Sequence, residues 1–225
     1  SIENPLLVDE VNVNGTLNLL KACMQHQIRR FVYVSTCAVY GEAKYLPINE
    51  EHPTNPMSPY GASKLAAEQY CNILYQIYGL HTVCLRFFNV YGPRQPSGPY
   101  GGVITTFLES LRNGQSIVIY GDGNQTRDFL HIADAVKAFT LALQCKNCLG
   151  KTFNIGTGNQ TTINELAQIL IELVGKQKAK VVHVDERKGD IRNSYADVTR
   201  AEKEMRFHPE FSIYEGLKKM VSKIT

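Results

Sequence analysis

Two short apolar segments, separated by helical patterns, most constrain how this chain folds. Residues 31–35 and 81–86 are rich in β-branched and aromatic residues, which is typical of strands buried on both faces. A helical pattern over residues 5–26 precedes the first segment, and another over 59–78 precedes the second and ends at Gly79. This order of helix, strand, helix and strand predicts an α/β fold with a parallel sheet covered by helices.

After residue 90 the predicted elements are shorter, and we expect a smaller α/β lid packed over the sheet edge. The proline-rich segment 42–58 is predicted to be an irregular loop. Thr162 and Glu165 have the spacing of a capping box that opens a helix. The remaining predicted helices cover 103–113, 132–144, 198–206 and 212–224, and the strands cover 117–120, 151–155 and 181–184.

Composition excludes several classes of function. The formal net charge of the 225 residues is only +3, and the basic residues are scattered, so we expect no nucleic-acid partner. No signal peptide and no apolar run of about 18 residues is found, so we expect no membrane association. The six cysteines are irregularly spaced, which favours reduced thiols in a cytoplasmic protein. We interpret Cys145 and Cys148 as a helix end rather than a redox or metal site, because a zinc ribbon needs a second pair.

Tyr60 and Lys64 form the strongest chemical signal. Residues four apart on a helix lie on one face, so the ammonium of Lys64 would favour the phenolate of Tyr60. Thr36, at the end of the preceding strand, could hold a substrate oxygen. This chemistry suits the conversion of an alcohol to a ketone as a hydride leaves. Alone, however, a Tyr and a Lys at this spacing are common by chance.

Further motifs occur in a fixed order around this pair. The series resembles the extended short-chain dehydrogenase/reductase family, in its NAD-dependent nucleotide-sugar epimerase/dehydratase branch, and it runs along nearly the whole chain. The residues that carry the resemblance are Asn12 to Thr16 with Asn18 to Leu20, Ser35 and Thr36, Val39 to Gly41, Tyr60 to Lys64, Arg86 to Arg94, Gly121 to Gly123, Arg127 to Phe129, Asp134, Asn154 to Gly156, and Arg187 to Asp190.

The resemblance implies a role for each matching residue and NAD as the cofactor. Thr36, Tyr60 and Lys64 would be catalytic, with Tyr60 taking the proton from the sugar hydroxyl. The residues implied in cofactor binding are Asn12, Ser35, Tyr60, Lys64 and Phe87. Those implied in binding the nucleotide sugar are Thr36, Asn89, Tyr120, Arg127, Arg187 and Asp190.

Three of these assignments have structural alternatives. Asn12 could instead satisfy backbone groups at a helix end, Tyr120 could pack at the edge of the core, and Arg127 could form a local ion pair with Asp128. No metal site is expected.

The residues after Thr36 narrow the reaction that the resemblance implies. Sugar 4,6-dehydratases of this family usually carry an Asp-Glu pair there, and related decarboxylases keep the Glu. Here these positions are Cys37 and Ala38, which cannot supply an acid and a base for elimination. The best match is therefore a nucleotide-sugar 4-epimerase of the UDP-glucose/UDP-galactose type, acting on a UDP-hexose through transient oxidation at C4. Another oxidoreductase of the same family is an alternative.

No complete G-x-G-x-x-G or G-x-x-G-x-x-G motif follows a strand in this chain, although a dinucleotide fold needs such a turn to bring its backbone close to the pyrophosphate. The resemblance therefore implies that roughly the first third of the family fold is absent. We expect residues 1–90 to be the remainder of an incomplete Rossmann-like domain and 91–225 to be mainly the nucleotide-sugar-binding domain, with strands returning to the sheet. A fragment that binds a nucleotide sugar, but NAD weakly or not at all, is the second functional hypothesis.

Family members usually pair through the helices that match 5–26 and 59–78. A homodimer through these two helices is therefore expected. Ile73, Leu74, Ile77 and Tyr78 spread around more than one face of the second helix, which is consistent with burial against a partner or between sheet and lid.

Overall fold

The computed structural model describes residues 1–96, 98, 101–187 and 189–222. Its α-helices are α1 (Pro5–Asp9), α2 (Gly15–Gln25), α3 (Pro59–Tyr78), α4 (Val103–Arg112), α5 (Ile132–Gln144), α6 (Ile163–Val174) and α7 (Ile213–Val221). Its strands are β1 (Phe31–Thr36), β2 (Thr82–Phe87), β3 (Asn89–Tyr91), β4 (Ile117–Tyr120), β5 (Thr126–Arg127), β6 (Phe129–His131), β7 (Lys151–Ile155), β8 (Thr161–Thr162), β9 (Val181–Val184) and β10 (Asn193–Ser194).

The main sheet is parallel, as the sequence predicts, with the strand order β1-β2-β7. All residues of the central strand β2 are buried, which explains its continuous apolar run. One row of the sheet pairs Ser35 with Arg86 and Arg86 with Asn154, and the next row pairs Thr36 with Phe87. Polar side chains thus cross the sheet one residue before the predicted catalytic threonine.

Helices cover both faces of this sheet. On one face, Leu20 of α2 and Cys71 of α3 pack with Tyr33 of β1 in one buried cluster. On the other face, Ala138 of α5 packs in a second cluster with Phe153 of β7. The result is a three-layer arrangement of helix, sheet and helix, which fixes where α3 lies over the carboxyl ends of β1 and β2.

The first predicted helix is interrupted in the structure. A π-turn over Glu10–Asn14 joins α1 to α2. The turn shifts the helical register, and burial differs between the two helices: Leu20 of α2 is buried, whereas Leu6 of α1 is 82% exposed. By contrast, α3 begins at the Ser58 cap and ends at Gly79, which takes the left-handed conformation that favours glycine.

The later elements also match their predicted positions, apart from short strands. The capping box of Thr162 and Glu165 is formed at the start of α6, and β7 returns to the main sheet. Short strands that were not predicted form the pair β3-β6 and the sheet β10-β5-β8, and β4 pairs with the predicted β9. A separate core cluster lies among α4, α6 and α7. The division into two domains at residue 90 stays a prediction.

Two local predictions differ from the structure. The predicted helix over 198–206 is largely a π-turn over Ala201–Met205. The prediction of reduced thiols is wrong for Cys145 and Cys148, which form a disulfide with a Cα separation of 5.5 Å, because a 3-10 turn after α5 folds one onto the other.

The other cysteines of the described residues are free. Lys188 of the last motif, residues 97, 99 and 100 of the glycine- and proline-rich segment, and the end of the predicted helix over 212–224 lie outside the described residues. None of the helices in the described part of the chain has the length and apolar run that a membrane span needs.

Candidate active site

Thr36 and Tyr60 meet where the end of β1 approaches the start of α3. The Thr36 hydroxyl accepts a hydrogen bond from Ala38 N at 3.2 Å and caps the turn that follows β1. The Ser58 hydroxyl caps α3 by accepting from Gly61 N at 3.1 Å. A Cβ on Gly61 would lie 2.7 Å from the carbonyl oxygen of Ala38, so this close approach of helix and turn requires glycine.

A mainly apolar cavity of about 450 Å³ opens beside these residues. Tyr60 borders it and is 41% exposed, so its phenol can reach a ligand. Phe87, predicted to line the cofactor pocket, also borders the cavity. The other lining residues are Val34, Ser35, Thr36, Phe88, Val90, Ile132, Ala135, Val136 and Phe139.

The pKa values of Tyr60 and Lys64 both shift toward the neutral forms. Burial raises the pKa of Tyr60, and a hydrogen bond with Thr36 opposes that shift. Burial lowers the pKa of Lys64. The predicted lowering of the phenol pKa by the ammonium is therefore not observed in this state: the Lys64 Nζ lies over the ring of Tyr33, 4.4 Å from its centroid.

Two residues predicted to bind the cofactor are engaged within the protein. Asn12, in the π-turn, donates to the Ser63 hydroxyl at 2.9 Å, and that hydroxyl donates to the Tyr60 carbonyl oxygen at 3.0 Å. The Ser35 hydroxyl donates to Glu68 at 2.7 Å. Asn12 thus bonds a side-chain hydroxyl and not the backbone groups of the alternative, and through Ser63 it ties the π-turn to the backbone of Tyr60. Their predicted contacts with a cofactor stay predictions.

The residues predicted to bind the nucleotide sugar surround two neighbouring cavities of about 220 and 130 Å³. Tyr120, Arg187 and Asp190 border both, and Asn89 and Arg127 border the larger one. Asn89 lies between Phe88 and Val90, which face the cavity beside Tyr60. Successive side chains of an extended strand point to opposite sides. Residues 88–90 therefore lie between the cavity beside Tyr60 and the cavities bordered by the residues predicted to bind the nucleotide sugar.

The charged side chains of this second region pair with each other. Arg127 Nη2 lies 2.5 Å from Asp190 Oδ1, and not against Asp128 as the alternative had it. The Arg187 guanidinium lies over the ring of Tyr120, 3.8 Å from its centroid. Arg187 therefore covers one face of the Tyr120 ring.

Sequence reasoning missed the role of Asp128, which organises this region. Its buried carboxylate accepts hydrogen bonds from Thr157 N at 2.8 Å, Gly158 N at 3.0 Å and Ala196 N at 3.2 Å. Burial raises the pKa of Asp128, and these bonds oppose the shift. A Cβ on Gly156 would lie 2.5 Å from Asp128 Oδ2. The turn from Gly156 to Gly158 thus surrounds the Asp128 carboxylate.

Sequence reasoning also missed Gln125, which borders both cavities of the second region. Its Nε2 donates to the Tyr120 carbonyl oxygen at 2.8 Å, while its buried Oε1 has no partner among the described residues. In one sequence, nothing distinguishes a single glutamine inside a longer motif as a binding residue. Within the described ranges, no cluster of His, Cys, Asp and Glu that could hold a metal is found.

Comparison with known proteins identifies the family. The profile described as GDP-mannose 4,6 dehydratase matches residues 1–220. The chain belongs to this family of NAD-dependent epimerases and dehydratases. The UDP-glucose 4-epimerase of Mycolicibacterium smegmatis is 37% identical over 222 residues, which are 98% of this chain and 70% of that protein.

Solved structures show the same fold. UDP-glucose 4-epimerase of Thermotoga maritima, determined with UDP-glucose, superposes with a TM-score of 0.95 at 37% identity, covering 100% of this chain and 72% of that one. The dTDP-glucose 4,6-dehydratase DesIV of Streptomyces venezuelae, determined with NAD, has a TM-score of 0.88 at 32% identity, covering 99% and 68%. The α/β fold with its Rossmann-like parallel sheet is confirmed, and the family contains more than one reaction.

Cys37 offers a test of the burial beside Tyr60. Burial raises the pKa of the Cys37 thiol to about 11. The thiol is therefore protonated at neutral pH, and its alkylation by iodoacetamide should still rise about tenfold per pH unit between pH 9 and 10, where an ordinary thiol of pKa about 8.5 levels off. Peptide mass spectrometry measures the rate at this position. A rate that is constant above pH 9 would contradict the burial described here.

Proposed function

We propose that the protein is an NAD-dependent nucleotide-sugar 4-epimerase of the UDP-glucose/UDP-galactose type. The observation that carries the proposal is the pair of residues after Thr36. Ala38 has no ionisable group, and the thiol of Cys37, with a pKa of about 11, stays neutral at pH 7. Elimination of water needs an acid and a base at the sugar, whereas oxidation at C4 and return of the hydride need only Tyr60, Lys64 and Thr36. The family's dehydratases are therefore the less suitable comparison for the reaction.

In this proposal Tyr60 moves the proton and Thr36 holds the oxygen. In the first half of the reaction the C4–H and O–H bonds would break, and the hydroxyl proton would pass to the phenolate form of Tyr60. NAD, held beside Lys64 and Phe87, would supply the acceptor for the C4 hydride and would return the same hydride. The 4-keto sugar then presents its other face, and Tyr60 returns the proton to the oxygen as the new C–H bond forms. Thr36, which already hydrogen-bonds with Tyr60, is suited to keep the sugar oxygen within reach of the phenol.

The residues beside the cavity suit the nicotinamide end of the cofactor. The cavity wall is mainly apolar and includes Phe87, which suits an aromatic ring. The Lys64 ammonium has no carboxylate partner among the described residues, so it is free to donate to ribose hydroxyls. We assign Lys64 and Phe87, together with Tyr60, to cofactor binding. Asn12 supports the backbone of Tyr60 through Ser63, and the Ser35 hydroxyl is engaged with Glu68.

The second region would bind the nucleotide diphosphate. A guanidinium is permanently charged and can donate two parallel hydrogen bonds to a phosphate, which suits Arg127 and Arg187 to the diphosphate. Asn89 would contact the diphosphate from β3, and Asp190 would accept from ribose hydroxyls. Tyr120 would stack on the base once Arg187 leaves its ring.

We place the reaction in the cytoplasm. Four cysteines are free, which supports a reducing compartment, and the one disulfide joins residues three apart instead of forming a framework between elements.

Replacement of Tyr60 tests the reaction. Tyr60→Phe removes only the acidic hydroxyl, so we expect at least a 100-fold fall in UDP-glucose/UDP-galactose interconversion, on the order of general acid–base effects, with binding of UDP-glucose retained. The assay supplies NAD and separates the two sugars by chromatography. Tyr214→Phe, at an exposed position of α7, is the matched control and should be active.

Three outcomes would count against the proposal. Unchanged turnover in Tyr60→Phe would remove Tyr60 from the mechanism. A 6-deoxy-4-keto sugar as the product of the unsubstituted protein would assign it to the dehydratases. Binding of UDP-glucose with no turnover at saturating NAD would favour the alternative, a protein that binds the sugar nucleotide without catalysis.

Replacement of Arg187 tests the second region separately. Arg187→Gln keeps the size of the side chain but removes its charge, so we expect UDP binding to weaken about 10- to 100-fold, the usual worth of a charge-assisted hydrogen bond. Isothermal titration calorimetry measures the affinity. Lys178→Gln, in the exposed turn after α6, is the control and should bind UDP normally. Equal affinities in both variants would exclude Arg187 from the nucleotide site.

We also propose a homodimer through the helices that cover residues 5–26 and 59–78. Large apolar side chains are exposed on both: Leu6 by 82% and Val11 by 61% in the first region, Ile77 by 66% and Tyr78 by 67% on α3. These side chains gain free energy if a second copy covers them, at about 25 cal/mol per Å².

Sedimentation velocity tests the dimer. We expect a species of twice the chain mass of 25.2 kDa, and Ile77→Asp should convert it to monomer by placing a charge in the apolar interface. Leu143→Asp, at an exposed position of α5, is the control and should remain dimeric. A protein that sediments only as a monomer at micromolar concentration would exclude this interface.

A further inference from the structure

Lys64 and Glu68 lie one turn apart on α3, yet they form no ion pair. Opposite charges at this spacing on a helix usually attract each other and often pair. Within the described residues, the only ion pair of Glu68 is with Arg86, and Lys64 has none. The Lys64 ammonium instead lies over the ring of Tyr33 on β1. Some other interaction must keep the two groups apart, since the buried carboxylate of Glu68 would otherwise attract the Lys64 ammonium strongly.

Arg86 provides that cause by occupying the carboxylate. Its Nη2 lies 2.5 Å from Glu68 Oε1, and its Nε lies 3.1 Å from Oε2. Ser35 donates to the same Oε2 at 2.7 Å. Glu68 is fully buried and Arg86 is 6% exposed, so water does not compete for these bonds. A guanidinium fork fits a carboxylate with two parallel bonds, which a lysine ammonium cannot do.

Arg86 is itself fixed in place from the other side. Its Nη1 donates to the Tyr40 hydroxyl at 2.9 Å, and that hydroxyl donates to Asn154 Oδ1 at 2.6 Å. Because Ser35, Arg86 and Asn154 form one row across β1, β2 and β7, the strand register sets the direction of the fork toward α3. The pairing of Glu68 is therefore decided by the sheet and not by its own helix.

We propose that Arg86 is a positioning residue that holds the Glu68 carboxylate away from Lys64, and so leaves the Lys64 ammonium free to bind a ligand beside Tyr60. The role of Lys64 in binding a ligand rests on the proposed function. The absence of an ion pair between Lys64 and Glu68 does not depend on it. The inference assigns to Arg86, 22 residues from Lys64 along the chain, the control of a charge at the candidate site.

Titration of Lys64 reports directly on its pairing. The groups that face Lys64 are Tyr33 of β1, Cys84 of β2, and Glu68 and Cys71 of its own helix. Burial lowers the pKa of Lys64 in the protein as it stands. An ion pair with Glu68 would raise that pKa, because a nearby negative charge favours the ammonium.

The experiment is the pH profile of trace acetylation of Lys64, read by peptide mass spectrometry, with the exposed Lys178 as internal reference. In the unsubstituted protein we expect Lys64 to titrate below Lys178. In Arg86→Gln, Glu68 is released, and the midpoint for Lys64 should rise by about one unit or more, a tenfold change in its proton affinity. In Glu68→Gln/Arg86→Gln, which removes both charges, the midpoint should return to that of the unsubstituted protein.

An unchanged midpoint in folded Arg86→Gln, or a raised midpoint in the double variant, would overturn the inference. Arg86→Lys provides a variant that keeps the buried positive charge but not the fork, and we expect an intermediate rise. The unsubstituted protein supplies a test that needs no substitution, since a Lys64 that titrates above the ordinary value of about 10.4 would already be paired.

The two proposals can fail independently. If Tyr60→Phe keeps full turnover while Lys64 titrates as described, the proposed reaction is wrong and the inference about Arg86 stands. If Tyr60→Phe is inactive and Lys64 does not respond to Arg86→Gln, the reaction stands and Arg86 has only a structural role.

Discussion

The close approach of α3 to the end of β1 governs the candidate site, because Tyr60 lies on one and Thr36 on the other. Gly61 makes the approach possible, since a Cβ there would lie 2.7 Å from a backbone oxygen of the turn after β1. The Ser58 cap then fixes the direction of the helix. Any residue larger than glycine would move the phenol away from the threonine hydroxyl, and a displacement of about 1 Å is enough to impair chemistry of this kind.

The ion pair of Glu68 and Arg86 holds the same two elements together farther along. Taking two charges out of water costs about as much free energy as their attraction recovers, so such a pair is weak support for stability by itself. Its value here is geometric. It links α3 to β2 and, through Ser35, the residue that precedes Thr36, also to β1. An apolar pair of the same volume would pack as well. It would not, however, fix the rotation of α3 relative to the row of residues that crosses the sheet.

The fold could be predicted where local sequence decides the structure. Gly79 ends α3 and Thr162 with Glu165 opens α6, because both depend on residues a few positions apart. The short strands β3, β5, β6, β8 and β10 could not be predicted, since each exists only through pairing with a distant segment. The same limit explains the site: sequence reasoning selected Thr36 and Tyr60, but nothing local indicates that Lys64 lies over Tyr33.

The charged residues of the second region illustrate what a ligand must change. Arg127 and Asp190 are 63 residues apart and pair with each other, and Arg187 lies on Tyr120. Because Asp190 is partly exposed, the pair is weak, of the order of 1 kcal/mol or less. A diphosphate carries more charge than one carboxylate and can take both guanidinium groups. In the proposed function, binding would therefore release Asp190 for the ribose and the Tyr120 ring for the base, so that occupation of the phosphate position prepares the rest of the site.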